Sequence, residues 1–206
     1  MMRHMAYTTN KPKAAATAPT SVPFPFQFLG TPAETAASHR VVETPYHGVK
    51  DSLNAMDQMA RSGQSHPQVR RYAEEVIRQV YPKDYLSELA ALYYDVCRRI
   101  RYTRDPAERE YVQHPAVILE NRAADCDDQA VLLRAALGAL GLSIGNPVEF
   151  VTIGFDPKAP YGRRYTHVFV RAFDSKTGQW VVVDPVAGPN TPEMLKKAKV
   201  FAVKKV

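Results

Sequence analysis

The sequence contains little cysteine and no long apolar segment, and each of these features excludes a class of protein. Only Cys97 and Cys126 occur among the 206 residues, so the chain lacks the disulfide framework of a small secreted domain, and a reducing compartment is expected. No run of roughly 18 uncharged apolar residues is present, so we expect no membrane span. The first residues carry a charge with no apolar segment behind it, and we therefore expect no secretion signal.

The positive charge lies at the two ends of the chain. The formal net charge is +6, with five basic and two acidic groups in residues 1–50 and five and one in residues 192–206. The residues between them hold 17 basic and 18 acidic groups. A nucleic-acid-binding domain usually carries its basic patch on the fold itself, so we expect no nucleic-acid partner. Basic ends are typical of arms that contact an acidic surface, and solvated tails without a partner are the alternative.

Composition divides the chain into an arm, a domain and a tail. Residues 1–48 are rich in proline, alanine and threonine, and proline fixes φ and removes a backbone donor, so this segment is expected to be an extended arm. Residues 49–191 are expected to form the folded domain, and residues 192–206 a basic C-terminal tail. Alternation in the arm would place three aromatic side chains on one face, available to a neighbouring surface: Phe24, Phe26 and Phe28.

Hydrophobic periodicity predicts helices followed by strands. Apolar residues at helical spacing begin near residue 49, resume after Pro67 and stop near Tyr81, and resume again after Asp84. A fourth helix is expected over residues 127–140. The expected strands are 147–155, 166–173 and 179–184, with a turn at 174–178. Helices first and strands later is typical of an α+β domain with a small antiparallel sheet.

The two cysteines have different expected environments. Cys97 lies on the apolar side of the third predicted helix, where we expect an inert core thiol. Cys126 directly precedes the fourth predicted helix, and the unpaired N–H groups and dipole at that helix end favour a thiolate. The flanking acids act against this, because negative neighbours raise the pKa of a thiol. For Asp125 and Asp128 we expect helix capping and charge complementation of the first turn rather than catalysis.

A histidine and an aspartate on the last two strands complete a set of reactive groups. If the hairpin turns around residues 175–176, His167 lies opposite Asp184 on one face, with Cβ atoms roughly 5 Å apart. A slip of one residue would put Asp184 on the other face. A thiol, an imidazole and a carboxylate in this order supply a nucleophile, a base and an orienting group. No spaced Cys/His pair suits zinc, so we expect no metal and no cofactor.

Three sequence blocks resemble the transglutaminase-like superfamily, whose core pairs a helix-borne cysteine with a histidine and an aspartate on following strands. The matching blocks are residues 122–133, 165–170 and 179–185, within a resemblance that spans residues 98–187. The resemblance implies a papain/transglutaminase-like core. It also implies that Cys126 is the nucleophile, that His167 is the general base and acid, and that Asp184 holds the imidazole.

A second resemblance is narrower. Residues 100–106, 110–115 and 125–128 are similar to transglutaminase-like proteins of tailed bacteriophages and prophages. This resemblance implies a virion component, found in the particle or the host cytoplasm. Its expected partners are phage structural proteins, contacted through the N-terminal arm and the basic tail.

Two functions therefore remain open at the level of sequence. The first is an enzyme that attacks an amide or peptide bond of a protein or peptide substrate and forms a thioester at Cys126. If water resolves the thioester, the enzyme is a cysteine protease or amidase. If an amine resolves it, the enzyme is a transglutaminase-type acyl transferase. The Cys126 N–H is an expected oxyanion donor, with Tyr102 and Gln113 as candidates for a second. The alternative is a structural or adaptor virion protein that retains the fold without turnover. A nucleic-acid binder, which rests only on the tail lysines, is the least favoured.

Overall fold

The computed structural model describes residues 28–29, 47–105, 111–159 and 164–206, in which helices pack on a five-stranded sheet. The helices are α1 (His47–Gln64), α2 (Pro67–Ile77), α3 (Tyr85–Arg99), α4 (Pro115–Asn121), α5 (Cys126–Ala139) and α6 (Thr191–Lys197). The strands are β1 (Phe28–Leu29), β2 (Arg101–Tyr102), β3 (Ala123–Ala124), β4 (Val148–Gly154), β5 (His167–Asp174), β6 (Gln179–Val183) and β7 (Val200–Lys205). The predicted α+β class with an antiparallel sheet is confirmed.

Local signals in the sequence begin the first helices. α2 starts with Pro67, and the His66 side chain accepts a hydrogen bond from the backbone N–H of Gln68. The Asp84 side chain caps α3 in the same way. α2 ends at Ile77, earlier than the periodicity predicted. The short helix α4 was not predicted.

Helix α5 is the central element of the fold. It packs against α1 and the other N-terminal helices on one side and against β5 on the other. Residues 127–137 are all buried, so this length of the helix has no face toward solvent. The sequence predicted a start at residue 127, and the helix begins one residue earlier, at Cys126.

The main sheet has the order β1-β6-β5-β4-β7, and each of these neighbouring pairs is antiparallel. One face, which includes Phe150 and Val168, packs against the helices α1–α5. The other face, which includes Ile153 and Phe169, packs against Leu195 of α6. Helices therefore cover both faces, which explains why every residue of β4 is buried. A separate two-stranded parallel ladder, β2 with β3, was not predicted.

The register of the β5–β6 hairpin differs from the predicted one by two residues. Ala172 lies opposite Val181, whereas the sequence predicted Gln179. The reason is the turn: the Asp174 carboxylate accepts hydrogen bonds from the Lys176 N–H and the Thr177 hydroxyl, which closes the loop around residues 176–177 instead of 175–176. A shift of two residues preserves the face of every side chain. Asp184 therefore stays on the face of His167, displaced along the strand from the directly opposed position.

The C-terminal residues belong to the fold. Residues 192–206 do not form the separate basic tail that the charge pattern predicted, because α6 lies on the sheet through Leu195 and β7 pairs with β4 along its whole length. Val200 and Phe201 are buried. Their apolar contacts and the hydrogen bonds to β4 hold residues 192–206 on the domain, although the lysines of this segment had suggested a solvated tail.

The predicted arm lies mostly outside the described residues. Within it, the structure describes β1, which pairs antiparallel with β6 so that Phe28 lies opposite Val181 and Leu29 opposite Trp180. The proposed docking through Phe24 and Phe26 falls outside the described part of the chain. Among the helices that are described, none combines the length and apolar character needed to cross a membrane.

Candidate active site

Asp184 is a buried carboxylate at the end of β6, and both of its oxygens are occupied by donors. Oδ1 accepts hydrogen bonds from the backbone N–H groups of Val186 at 3.1 Å and Ala187 at 2.9 Å. Oδ2 accepts from Nε2 of His167 at 2.7 Å and from the hydroxyl of Thr191 at 2.7 Å. The residue is only 2% exposed. Such a carboxylate is held in one orientation, because turning it would break several bonds at once.

His167 is the first residue of β5, and its ring is buried at 7% exposure. The hydrogen bond to Asp184 engages Nε2, so Nδ1 is the ring nitrogen left for proton exchange with a thiol. The ring also lies beside the Phe169 ring, with centroids 6.0 Å apart. The sequence predicted that His167 and Asp184 would come together, and the structure brings them together through this diagonal contact.

Cys126 is the first residue of α5, and its thiol adjoins the beginning of β5. The backbone of Val168, the residue after His167, hydrogen bonds to the thiol. The pKa of Cys126 is raised to about 12, chiefly by burial and further by the charges of Asp125 and Asp127, while the hydrogen bond from Val168 lowers it. The helix N-terminus was expected to favour a thiolate. In this structure burial outweighs that effect, and the thiol is neutral near pH 7.

The acids beside Cys126 act mainly on the local structure. Asp125 is the N-cap of α5, as predicted, and its side chain accepts a hydrogen bond from the Asp128 N–H at 3.3 Å. The Asp128 carboxylate accepts from the backbone N–H of Gln113 at 2.6 Å and also from the Gln113 side-chain amide. Carboxylate oxygens of Asp125, Asp127 and Asp128 lie within 4.8 Å of one another. Capping and the bonds to Gln113 account for two members of this cluster without a cation.

The pKa of Asp128 is raised to about 6, chiefly because the carboxyl group is buried; the backbone and amide donors of Gln113 lower it, and the charges of Asp125 and Asp105 raise it. Asp128 thus connects the segment before α4 to the first turn of α5.

Of the two expected candidates for a second oxyanion donor, Gln113 is engaged with Asp128. Tyr102 lies on β2, opposite Ala124 and 45% exposed.

Cys97 is not the core thiol that the sequence predicted. Its side chain is exposed, and its sulfur lies 3.7 Å from the carbonyl oxygen of Pro185. The pKa of Cys97 is raised, chiefly by burial of part of the side chain, with the nearby charge of Asp184 adding to the shift and a hydrogen bond from Tyr93 opposing it. The apolar periodicity of α3 predicted a packed side for Cys97, and this prediction was wrong. The loop that follows Asp184 covers that side only in part.

Thr191 is the site residue that sequence reasoning missed. It lies at the boundary between the predicted domain and the predicted tail, where nothing in the sequence indicated a contact with Asp184. The available signal was the spacing of prolines around it, Pro185, Pro189 and Pro192, which is typical of a rigid turn entering a helix.

Comparison with solved structures finds similarity to other proteins. A protease candidate from Parabacteroides distasonis is 16% identical over 78% of this chain, with a TM-score of 0.54, and this chain covers 30% of that protein. A cysteine-protease candidate from Cytophaga hutchinsonii is 13% identical over 70% of this chain, with a TM-score of 0.45, covering 50% of that protein. The periplasmic domain of TgpA from Pseudomonas aeruginosa is 18% identical over 68% of this chain, with a TM-score of 0.44, covering 51% of that domain.

This chain therefore spans 30% to 51% of the length of these proteins, and at 16% identity the likeness to the first of them shows the fold alone. No curated protein matches the sequence.

The family is identified by a match along the sequence itself. Residues 70–185, more than half of the chain, match the family described as the transglutaminase-like superfamily. The matched range contains Cys126, His167 and Asp184 and confirms the superfamily resemblance that the sequence blocks indicated. The chain belongs to the transglutaminase-like superfamily.

Proposed function

We propose that the protein is a cysteine-dependent enzyme that acts on amide or peptide bonds of a protein or peptide substrate. In this proposal Cys126 is the nucleophile, His167 the general base and acid, and Asp184 the group that orients the imidazole. The observation that carries it is the buried 2.7 Å hydrogen bond between His167 Nε2 and Asp184 Oδ2, with the Cys126 thiol against the next residue of β5.

The raised pKa of Cys126 defines how the first step proceeds. Because the thiol is neutral near pH 7, His167 Nδ1 takes the thiol proton as the sulfur attacks the carbonyl carbon. The carbonyl oxygen gains the negative charge, which the Cys126 N–H at the start of α5 stabilises. Collapse of this intermediate breaks the C–N bond, and the imidazolium returns its proton to the leaving amine. A thioester between Cys126 and the acyl group remains.

The second step determines the reaction class. Water, deprotonated by His167, gives a carboxylic acid, which is the reaction of a protease or amidase. A primary amine in the same position gives a new amide, which is the reaction of a transglutaminase-type acyl transferase. In both cases the thiol regains its proton from the imidazolium and the enzyme returns to its starting state.

A generic acyl donor tests this proposal without knowledge of the substrate. The full chain is incubated with p-nitrophenyl acetate at pH 8, and intact-mass spectrometry follows the acetyl thioester, which hydroxylamine then releases. The Cys97→Ala variant provides a background with one thiol. We expect acetylation at Cys126 at least about tenfold faster than in His167→Ala, in line with the usual effect of a general base. Equal rates in the two proteins would overturn the proposal.

We further propose that the protein is associated with a phage particle, in line with the narrower sequence resemblance, through phage structural proteins that its N-terminal arm contacts. The support for this association is the sequence resemblance alone, because β1 pairs with β6 of the same chain. The alternative without turnover predicts that Cys126→Ala, introduced into the phage genome, leaves both incorporation and infectivity unchanged. Absence of the protein from purified particles by mass spectrometry contradicts the association itself.

A further inference from the structure

The loop after β6 returns to the carboxylate from which it starts. Asp184 directly follows the last residue of β6, the Gly188 N–H donates to the Asp184 carbonyl at 2.9 Å, and a short 3-10 turn at Gly188–Asn190 leads into α6. The first residue of α6 is Thr191, whose side chain is completely buried. Its hydroxyl oxygen lies 2.7 Å from Asp184 Oδ2 and 2.8 Å from the Gly188 carbonyl oxygen.

A hydroxyl group has one proton and two acceptors compete for it here. A charge-assisted hydrogen bond to a carboxylate is roughly twice as strong as one to a neutral carbonyl. The Thr191 hydroxyl therefore donates to Asp184 Oδ2, the same oxygen that accepts from His167 Nε2. The side chains of His167, Asp184 and Thr191 are all buried, at 7%, 2% and 0% exposure.

This bond completes the fixation of the carboxylate. Two backbone N–H groups hold Oδ1, but they alone would leave Oδ2 able to swing about the axis through Oδ1. With Thr191 on Oδ2, the carboxylate plane has donors on both oxygens. The imidazole then has one acceptor position for Nε2–H, so the proton of the neutral ring lies on Nε2 and Nδ1 carries the lone pair that can accept a proton.

We propose that Thr191 is a positioning residue of the site, which acts through Asp184 to hold the His167 imidazole in its Nε2–H tautomer and in one orientation. The catalytic consequence rests on the proposed function, in which Nδ1 accepts the Cys126 proton. The positional role itself concerns only Thr191, Asp184 and His167.

The experiment compares Thr191→Val, which removes the hydroxyl and keeps the shape, with Thr191→Ser, which keeps the hydroxyl. Nitrogen chemical shifts of the full chain labelled with ¹⁵N-histidine report the tautomer of His167, identified by its loss in His167→Ala. The acetylation assay at several pH values, in the Cys97→Ala background, reports the rate at Cys126. Thr177→Val is the matched control, because the Thr177 hydroxyl also donates to a carboxylate at 2.7 Å, that of Asp174, at the opposite end of the β5–β6 hairpin.

We expect Thr191→Val to replace the single Nε2–H tautomer by a mixture and to lower the acetylation rate about tenfold, the effect of losing one charge-assisted hydrogen bond. Thr191→Ser should keep the tautomer and stay within about twofold of the wild-type rate, and Thr177→Val should change neither readout. If Thr191→Val does not fold, as judged by thermal unfolding, Thr191→Ala provides the same two readouts.

An unchanged tautomer in folded Thr191→Val, or Ser and Val variants that are altered equally, would overturn the positioning role. If the wild-type rate does not depend on His167, the proposed function fails while the tautomer comparison still decides the role of Thr191. The two failures are therefore distinguishable.

Discussion

His167 and Asp184 are joined by a 2.7 Å hydrogen bond although they are not opposed partners in the β5–β6 ladder. The last pair of that ladder is Val170 with Val183, and β6 ends there. Asp184 begins the following turn, which frees its side chain from the pleat and lets it reach diagonally to the start of β5. The contact depends on where the strand ends as much as on the pairing of the strands.

The first prediction concerns the pH dependence of the Cys126 thiol. Because burial raises its pKa to about 12, the thiolate fraction increases with pH throughout the range in which the protein is studied. The rate of iodoacetamide alkylation of Cys126, measured in the Cys97→Ala background, should therefore increase by about tenfold per pH unit between pH 7 and pH 9. A plateau of fast alkylation below pH 7 that His167→Ala abolishes would instead indicate a preformed thiolate–imidazolium pair.

The second prediction concerns the buried carboxyl of Asp128, whose pKa is raised from 3.8 to about 6. Between these values the folded protein keeps a proton that the unfolded chain has released, so this group lowers the free energy of unfolding as the pH rises from about 4 to about 6. Asp128→Asn should remove a decline on the order of 2 kcal/mol. Urea unfolding at several pH values measures it, and Glu74→Gln, at an exposed acid of α2, is the control.

The same pH slope in the wild type and in Asp128→Asn would contradict this assignment. A loss of stability at every pH in Asp128→Asn is a separate effect, expected because the asparagine can accept only one of the two Gln113 hydrogen bonds.

Much of the fold was predictable because its elements are encoded locally. The apolar periodicities of α1, α2, α3 and α5 and the strands β4 to β6 follow from residues close together in the sequence. The selection of Cys126, His167 and Asp184 rested on the same kind of information: a helix start and two strand ends. Whether these residues form a catalytic site stays a prediction.

The errors occurred where side-chain hydrogen bonds or tertiary contacts, rather than apolar periodicity, decide the structure. The hairpin register depends on the Asp174 side chain, which accepts hydrogen bonds from Lys176 and Thr177 in the turn. The alternation of apolar and polar residues does not reveal these bonds. The exposure of Cys97 depends on how the loop after Asp184 lies over α3. The role of residues 192–206 depends on the free edge of β4, which β7 occupies. In each case the apolar pattern was compatible with two outcomes; the turn hydrogen bonds selected one for the hairpin, and tertiary packing selected one for Cys97 and for residues 192–206.

The third prediction concerns the ion pair between β4 and β5. Arg171 donates to the Glu149 carboxylate at 2.6 Å, and both side chains are largely buried; the guanidinium also lies 4.4 Å from the centroid of the Trp180 ring. Arg171→Met would leave Glu149 as an uncompensated buried charge, so we expect a loss on the order of 3 kcal/mol in the free energy of unfolding.

The matched control is Arg70→Met, which removes an exposed ion pair with Glu74 and should have little effect on stability. Both variants are measured by urea unfolding at pH 7. Equal losses in the free energy of unfolding of the two variants would show that burial does not determine how much the Glu149–Arg171 pair contributes to stability. The double variant Glu149→Gln, Arg171→Met should recover part of the lost free energy of unfolding, because it also removes the Glu149 charge that Arg171→Met leaves buried without a partner.

The last prediction concerns access to the site. Phe28 of β1 lies opposite Val181 of β6, three residues before Asp184, so the arm is attached to the sheet edge that leads to the site. Removal of residues 1–45 takes β1 away and opens that edge. We expect the alkylation rate of Cys126 in the Cys97→Ala background to increase, with an unchanged unfolding midpoint as evidence that the domain remains folded. An unchanged alkylation rate in the folded truncated protein would mean that the arm does not restrict access to Cys126.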